Sequence, residues 1–280
     1  VGNPVEIFKR VESMSYNTQI FGNAALTFHL LKGLDLKTQV GVDYHNGRSQ
    51  GYTPFKPHQI IDMSANGSAS ASNSSSLYWQ EETYLTYIKD FDKHHLNAMA
   101  GASWQARKYT YFGASDSKFM DDYYGFYNLG AGTEKPSVGS DYDKWAMNSY
   151  FLRLAYNYNN TYMATVTGRY DGSSKFGENN KYAFFPSVGL GWLVSNEKFL
   201  ENNKTISKLK LHTSFGMTGN SEIRTYRSIA TMSQGTTILN GSMVTVSYLD
   251  KMPNANLKWE KTAQFDLGFE LGLFNNRLNF

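Results

Sequence analysis

Along most of this chain apolar and polar residues alternate one by one, the two-residue period of a strand with one apolar face. The clearest run goes from Leu257 to Leu273. One face carries Leu257, Trp259, Lys261, Ala263, Phe265, Leu267, Phe269, Leu271 and Leu273. The other carries Lys258, Glu260, Thr262, Gln264, Asp266, Gly268, Glu270 and Gly272. The pattern returns around Leu34–Tyr44, Leu96–Trp104, Tyr150–Tyr158, Tyr162–Tyr170 and Leu209–Met217. It predicts ten strands, at 14–30, 34–47, 77–91, 95–112, 146–158, 162–172, 182–195, 207–218, 257–273 and 277 onward.

Connection lengths add a second regularity. Lys32-Gly33, Asp92-Lys93, Asn159-Asn160 and Asn275-Asn276 read as tight turns, built from residues that cap turns or tolerate positive φ. Between them lie long connections at 48–76, 113–145, 173–181 and 219–256. The stretch 196–206 is intermediate and falls at a short position, with a helical turn expected over Asn196–Leu200. In an up-and-down meander every second connection lies at the same end, and outer-membrane barrels have short turns at one end and long loops at the other. Greek-key crossovers would scramble that order.

The polar faces hold Asp35, Lys37, Asp43, Arg153, Arg169, Asp171, Lys208, Lys210, Asp266 and Glu270 among Gly, Ser, Thr and Gln. Such a face suits a wet or plugged lumen, and the apolar one suits lipid. Tyr150, Tyr156, Tyr158, Tyr162, Tyr170, Trp104 and Trp192 are expected toward strand ends, where interfacial aromatics belong. The expected fold is therefore all-β: an antiparallel meander of about ten strands, open, and part of a larger transmembrane barrel.

Composition narrows the alternatives. No window approaches the ~18 consecutive apolar residues of a membrane helix. Aromatics reach 15%, with 20 Tyr, 18 Phe and 5 Trp, which is heavy for a soluble domain. Cysteine is absent, which removes disulfides and thiolate metal sites. A net charge of +3 does not argue for nucleic acid. Val1-Gly2-Asn3-Pro4 reads as mid-chain sequence without a signal peptide, and Asn275–Phe280 as the start of a further strand. Both ends are expected to be internal to a longer protein.

One region resembles a known family. Arg169-Tyr170-Asp171-Gly172-Ser173-Ser174-Lys175-Phe176-Gly177, followed by Pro186, Gly191 and Trp192, is similar to a signature block of SusC/RagA-type barrels. Leu209–Asn220, with Gly216, Gly219 and Asn220, resembles a second block. Asn256–Thr262, with Trp259 and Glu260, and Gly272–Arg277 resemble two more, in the same order. The four cover about 145–280, and residues 1–144 share only strand pattern and loop style. The resemblance implies a TonB-dependent importer of about 22 strands that takes up glycans or peptides across the outer membrane of a Gram-negative bacterium. It implies outer-membrane lipids, a SusD-like lipoprotein lid and TonB as partners, with the plug, TonB box and signal peptide upstream of Val1. It implies no cofactor.

The residues also read unaided. Asp171–Ser174 is a turn-forming run at a strand end. Pro186, lacking an N–H, belongs near a strand start or a gap in the ladder. Gly189 and Gly191 fall on the polar face, where a plug contact or strand curvature would explain them. Tyr123, Tyr124, Phe126, Tyr127, Tyr142 and Trp145 form the densest loop aromatic cluster, with docking of a sugar or peptide, or packing among loops or against the lid, as its roles. Ser64–Ser76 is low-complexity and expected to be a mobile loop.

No catalytic or metal site is expected. Asp116, Asp121, Asp122, Asp141 and Asp143 match no cation-loop spacing. His94-His95 would point to opposite faces and make a poor chelate. Glu260, Asp266 and Glu270 are spaced as lumen-lining acids, and no nucleophile elbow is present. The alternative is a β-rich surface binding module or adhesin without transport, which the segregated loop lengths disfavour.

Overall fold

A computed structural model describes residues 8–55, 66–200, 203 and 205–280. Ten strands form one open antiparallel sheet in the order β1-β2-β3-β4-β5-β6-β7-β8-β11-β12. They run β1 Glu12–Leu31, β2 Leu34–Phe55, β3 Asn66–Phe91, β4 His94–Ser117, β5 Ser137–Tyr158 and β6 Tyr162–Ser173. Then come β7 Tyr182–Leu193, β8 Ile206–Asn220, β11 Glu260–Leu273 and β12 Leu278–Asn279. A separate two-stranded hairpin pairs β9, Thr231–Leu239, with β10, Ser242–Lys251. The expected meander holds, and so does the alternation of short and long connections except around β7, where 194–205, at a short position, is longer than 174–181 before it.

Several expectations need correction. The connection 219–256 is not bare loop, because it contains the β9–β10 hairpin. Its turn is Asn240-Gly241, both at positive φ, the pairing a tight hairpin turn demands. Asn66–Ser76 is not a mobile loop but the first part of β3, whereas 64–65 lie outside the described residues. There Ser75 Oγ lies 2.8 Å from Thr110 Oγ1, and Ser76 Oγ accepts a 3.1 Å bond from Arg107 Nε. Small polar side chains carry little intrinsic strand preference, but ladder neighbours override it. The longer β4 also puts Trp104 in mid-strand rather than near an end.

By contact, the chain divides into residues 1–23, 41–79 and 106–144, and residues 24–40, 80–105 and 145–280. The first unit has a small core of Tyr52, Ala69, Phe119 and Phe126, with Leu129 and Ala131 against it. The second unit has a core of Phe176, Ala183, Phe185 and Trp259.

Register in the second unit tests the alternation directly. Tyr158 faces Tyr162 across β5–β6, Tyr162 faces Trp192, and Trp192 faces Leu211. Val166 faces Val188, Val188 faces Phe215, and Phe215 faces Phe265. Apolar residues therefore meet apolar residues level by level. The polar rows align as well, as in Thr167 with Ser187 and Asp266 with Ser214. The large apolar side chains of this outward face are exposed within the chain.

The short turns are stitched to their neighbours. Ile88 N donates to Gly33 O, Asn159 N to Lys93 O, and Leu193 N to Thr161 O. Asp92, Asn159, Asn160, Asn275 and Asn276 all take positive φ, as their turn chemistry predicts. The helical turn expected over 196–200 is displaced, a 3₁₀ turn at Val194–Asn196 followed by Glu197–Leu200 closing on itself. Beside these turns runs a row of rings. Phe91 stacks on His94 at 4.8 Å, His94 lies 4.9 Å from Tyr158, and Tyr162 sits 6.4 Å from both Tyr158 and Trp192. Toward the other strand ends Tyr170 stacks on Tyr182 at 5.1 Å.

Candidate functional site: the inward face and the long loops

Alternation along β5–β8 and β11 sends one polar set to the inward face, and the register fixes who meets whom. Near the short turns Glu270 accepts from Lys208 Nζ at 2.5 Å and from Lys210 Nζ at 3.2 Å. Farther along, Asp266 accepts from Gln264 Nε2 at 3.1 Å and from Ser214 Oγ at 3.4 Å. At the start of β11 Glu260 accepts from Asn220 Nδ2 at 3.0 Å. Each of the three acids is thus engaged by its own donors, and they do not face one another as an acid–base couple would. Among the described residues no group of three or more His, Asp or Glu side chains gathers as a metal site. His94 and His95 do diverge, as strand neighbours should: His94 meets Tyr156 and His95 meets Asp90.

Between these charges the inward face is lined by small residues. Gly191 and Gly268 flank His212 on either side, and Gly189 faces Ser214. A Cβ on Gly189 would have its nearest neighbour 3.8 Å away, so this chain itself does not demand glycine there.

Most of the family-like motif residues form a latch at the long-loop end of the second unit, whereas Gly191 and Trp192 lie toward the short turns. Arg169 Nε donates to Asp171 Oδ1 at 2.7 Å and Nη2 to Ser149 Oγ at 2.9 Å. Phe176, 1% exposed, lies 4.6 Å from Trp259, and Phe185 lies 5.4 Å from the same indole. Trp259 Nε1 donates to Lys181 O at 3.0 Å. Gly177 N donates to Leu257 O at 2.9 Å, and Asn179 N to Ala255 O at 3.2 Å. A Cβ on Gly177 would collide with the Ala255 carbonyl, and one on Gly219 with the Phe185 ring. A Cβ on Gly172 would strike the Tyr182 ring. Gly216 faces Ser187, the residue at which the β7–β8 ladder ends, so Pro186 sits just beyond that ladder, as a residue without N–H should. Trp259, read from alternation as part of an outward strand face, is instead buried before β11 begins. The loop 174–181 folds over it, and burying the indole outweighs the local period. Motif reading also passed over Lys175. It is 9% exposed, with Nζ 3.3 Å from Ser221 O and 5.2 Å from the Trp145 ring centre.

The loop aromatics separate. Tyr123 and Tyr127 are 85% and 80% exposed, and Tyr124 and Tyr142 are also exposed. Phe126 is not available to a ligand: it is 3% exposed and packs in the first unit's core. Trp145 is half-buried under Lys175. The acidic loop residues serve local structure. Tyr52 Oη donates to Asp122 at 2.6 Å and Arg10 to the same carboxylate at 2.7 Å. Asp121 and Asp141 accept backbone N–H groups of Tyr123 and Tyr142. A pocket of about 520 Å³ in the first unit is lined by Ser68, Ser70, Ser115, Ser117, Lys135 and Glu12, among others.

Residues 9–280 match the family described as TonB dependent receptor-like, β-barrel. TonB-dependent receptor P3 of Formosa agariphila is 34% identical over 257 residues, 91% of this chain and 25% of the relative. TonB-dependent receptor SusC of Bacteroides thetaiotaomicron is 27% identical over 294 residues, 99% of this chain and 27% of the relative. Among solved structures, that of the RagAB peptide transporter superposes with a TM-score of 0.86 at 29% identity, over 97% of this chain and 30% of that one. The chain spans between a quarter and a third of the length of these relatives.

Proposed function

This chain belongs to the family of TonB dependent receptor-like β-barrels, and on that premise we propose that it forms part of a transporter importing oligosaccharides or peptides across a Gram-negative outer membrane. It supplies wall strands, part of the lumen lining, and long extracellular loops. Further barrel strands, a plug and the TonB box belong to other parts of the same protein. Import is powered through TonB and capped by a SusD-like lipoprotein lid. The chain contributes passage and docking, not catalysis.

The observation that carries this reading is the level-by-level match of exposed apolar residues on one face and paired polar residues on the other. An open soluble sheet gains nothing from displaying Leu190, Phe215, Phe265 and Leu267 together, whereas hydrocarbon rewards it. The two aromatic levels support the same orientation. Tyr162 and Tyr170 lie eight residues apart on β6. At about 3.3 Å per residue that is about 26 Å along the strand. At a strand tilt of about 40° this projects to about 20 Å, within an apolar band about 25 Å tall.

On this reading the small residues around Gly189 and Gly191 receive the plug, and Tyr123, Tyr124, Tyr127, Tyr142 and Trp145 meet substrate or lid. The intact gene is deleted, and uptake of labelled oligosaccharides and peptides is compared with the parent strain. Loss of one substrate class, restored by the gene on a plasmid, is the expected result. Undiminished uptake of both classes, with the complete protein found in the aqueous phase without detergent, would overturn the reading.

A further inference from the structure

Small side chains interrupt the outward apolar face close to the ring of aromatics. One register level aligns Tyr156, Ala164, Leu190, Thr213 and Leu267 across five strands. The next level toward the short turns carries the larger Tyr162, Trp192 and Leu211. Ala164 and Thr213 are therefore low points between bulky neighbours. The result is a groove of about 460 Å³, walled by Leu190 and Leu267 and bounded by Tyr162 and Trp192. The Thr213 hydroxyl donates to Asp266 O at 3.0 Å, so this face presents no unmet donor there.

Glu197, in the turn beyond β7, lies outside the groove's lining but beside it, bonded to Tyr162 and Trp192, two of the residues that bound the groove. Tyr162 Oη donates to Glu197 Oε1 at 2.6 Å, and Trp192 Nε1 donates to the same oxygen at 3.1 Å. The Tyr162 hydrogen bond first, and the Trp192 bond second, hold this carboxyl below its ordinary range, so it is ionised at neutral pH. Both bonds end on one oxygen. A carboxylate accepts at about four positions, so this one retains capacity for a cationic donor. Its rings also fix its place, because Tyr162 and Trp192 are held in the stacked row. A hydrocarbon trough beside a fixed negative charge complements a molecule with an acyl tail and an ammonium head.

We propose that this groove is a binding site for an aminophospholipid, with one acyl chain along Ala164 and Thr213 and the headgroup ammonium at Glu197. The proposal rests on the reading that the outward face meets the membrane. It goes beyond that reading because lipid held by hydrocarbon alone would not distinguish headgroups, whereas a carboxylate beside the groove favours an amine.

The complete protein, purified in mild detergent, is mixed with phosphatidylethanolamine or phosphatidylglycerol of identical acyl chains, and retained lipid is counted by native mass spectrometry. Retention of the ethanolamine lipid is expected to exceed that of the glycerol lipid by about fivefold, the scale of one partly exposed charge pair. Glu197→Gln brings the two lipids level. Ala164→Trp fills the groove and lowers retention of both, while Ala263→Trp, elsewhere on the same face, leaves it unchanged. Heat-modifiable migration verifies that each variant is folded, and Glu197→Gln alone decides the matter if Ala164→Trp is not. Equal retention of the two headgroups by the parent protein, or unchanged preference in Glu197→Gln, overturns the proposal while leaving the membrane reading intact. A complete protein that stays in the aqueous phase without detergent overturns both.

Discussion

The same kinds of aromatic side chain meet opposite fates at the two ends of the second unit. Beside the short turns Tyr158, Tyr162 and Trp192 stand in a row on the sheet surface, with Tyr162 48% exposed. At the long-loop end Phe176, Phe185 and Trp259 are buried against one another, with Trp259 6% exposed. The rim rings lie near-parallel in a row, and Tyr162 and Trp192 send their polar atoms to Glu197. The latch rings are covered by two loops whose backbones bond to each other. Rim aromatics therefore serve a medium outside the protein, and latch aromatics serve the protein itself. If so, substitutions at the two ends should fail in different ways.

The largest effect is expected at the latch. Trp259→Ala removes the indole on which Phe176 and Phe185 pack, together with the bond to Lys181 O. Truncating a buried aromatic of this size costs about 3–5 kcal/mol. Chemical unfolding of the complete protein in lipid vesicles measures it. Trp192→Ala at the rim should cost well under half as much, and equal losses would erase the distinction between the two ends.

Lysine scanning sharpens the outward–inward contrast next. Val188 and Ser187 are neighbours on β7 that face Phe215 and Gly216 respectively. Val188→Lys places a charge in the hydrocarbon band at a cost of about 2–4 kcal/mol. Ser187→Lys places it in a wet interior, where the cost should stay within about 0.5 kcal/mol. The same unfolding assay reads both, and reversal of the order would invert the assigned faces.

Gly177→Ala comes third. Its Cβ would meet the Ala255 carbonyl, which is backbone and cannot swing away. Overpacking of this kind costs about 1–3 kcal/mol. The exposed Gly241, whose Cβ would meet nothing within 4 Å, is a poor control because it sits at φ +77. Gly22, with open space and no such φ, is the proper one, and Gly22→Ala should be close to neutral.

How much of this was legible follows the same division. The wall was readable because one period governs it: nearly every strand, its face and its short turn came from alternation and from Asn, Asp and Gly placement. The latch was not. Trp259 continues the apolar alternation of 257–273, and nothing in that run says that a loop some eighty residues upstream will cover it. Only the tertiary contact between 174–181 and 254–259 decides the matter. For Phe126 the choice between docking and packing among loops was open for the same reason, since loop aromatics look alike until a core claims one, and the first unit's core decides for packing. The β9–β10 hairpin is a different miss. Asn240-Gly241 between two β-branched runs is a strong hairpin signal, but the long connection was treated as a single loop.

The smallest effect concerns the rim, and it depends on pH. Glu197 accepts hydrogen bonds from Tyr162 and Trp192, and these hold its folded-state pKa below the ordinary 4.5. A depressed carboxyl stabilises the folded state above its unfolded pKa, and that contribution is lost as pH falls through the folded value. The parent protein and Glu197→Gln should therefore differ most near neutrality and converge as the pH falls from about 6 to about 3. Thermal conversion between folded and unfolded migration on gels, recorded across that range, supplies the measurement. The Trp259→Ala deficit involves no titrating group and should persist unchanged over the same window. A rim deficit that also ignored pH would mean that Glu197 holds the rings by packing rather than by its charge, and the contrast between a charged rim and an apolar latch would have to be withdrawn.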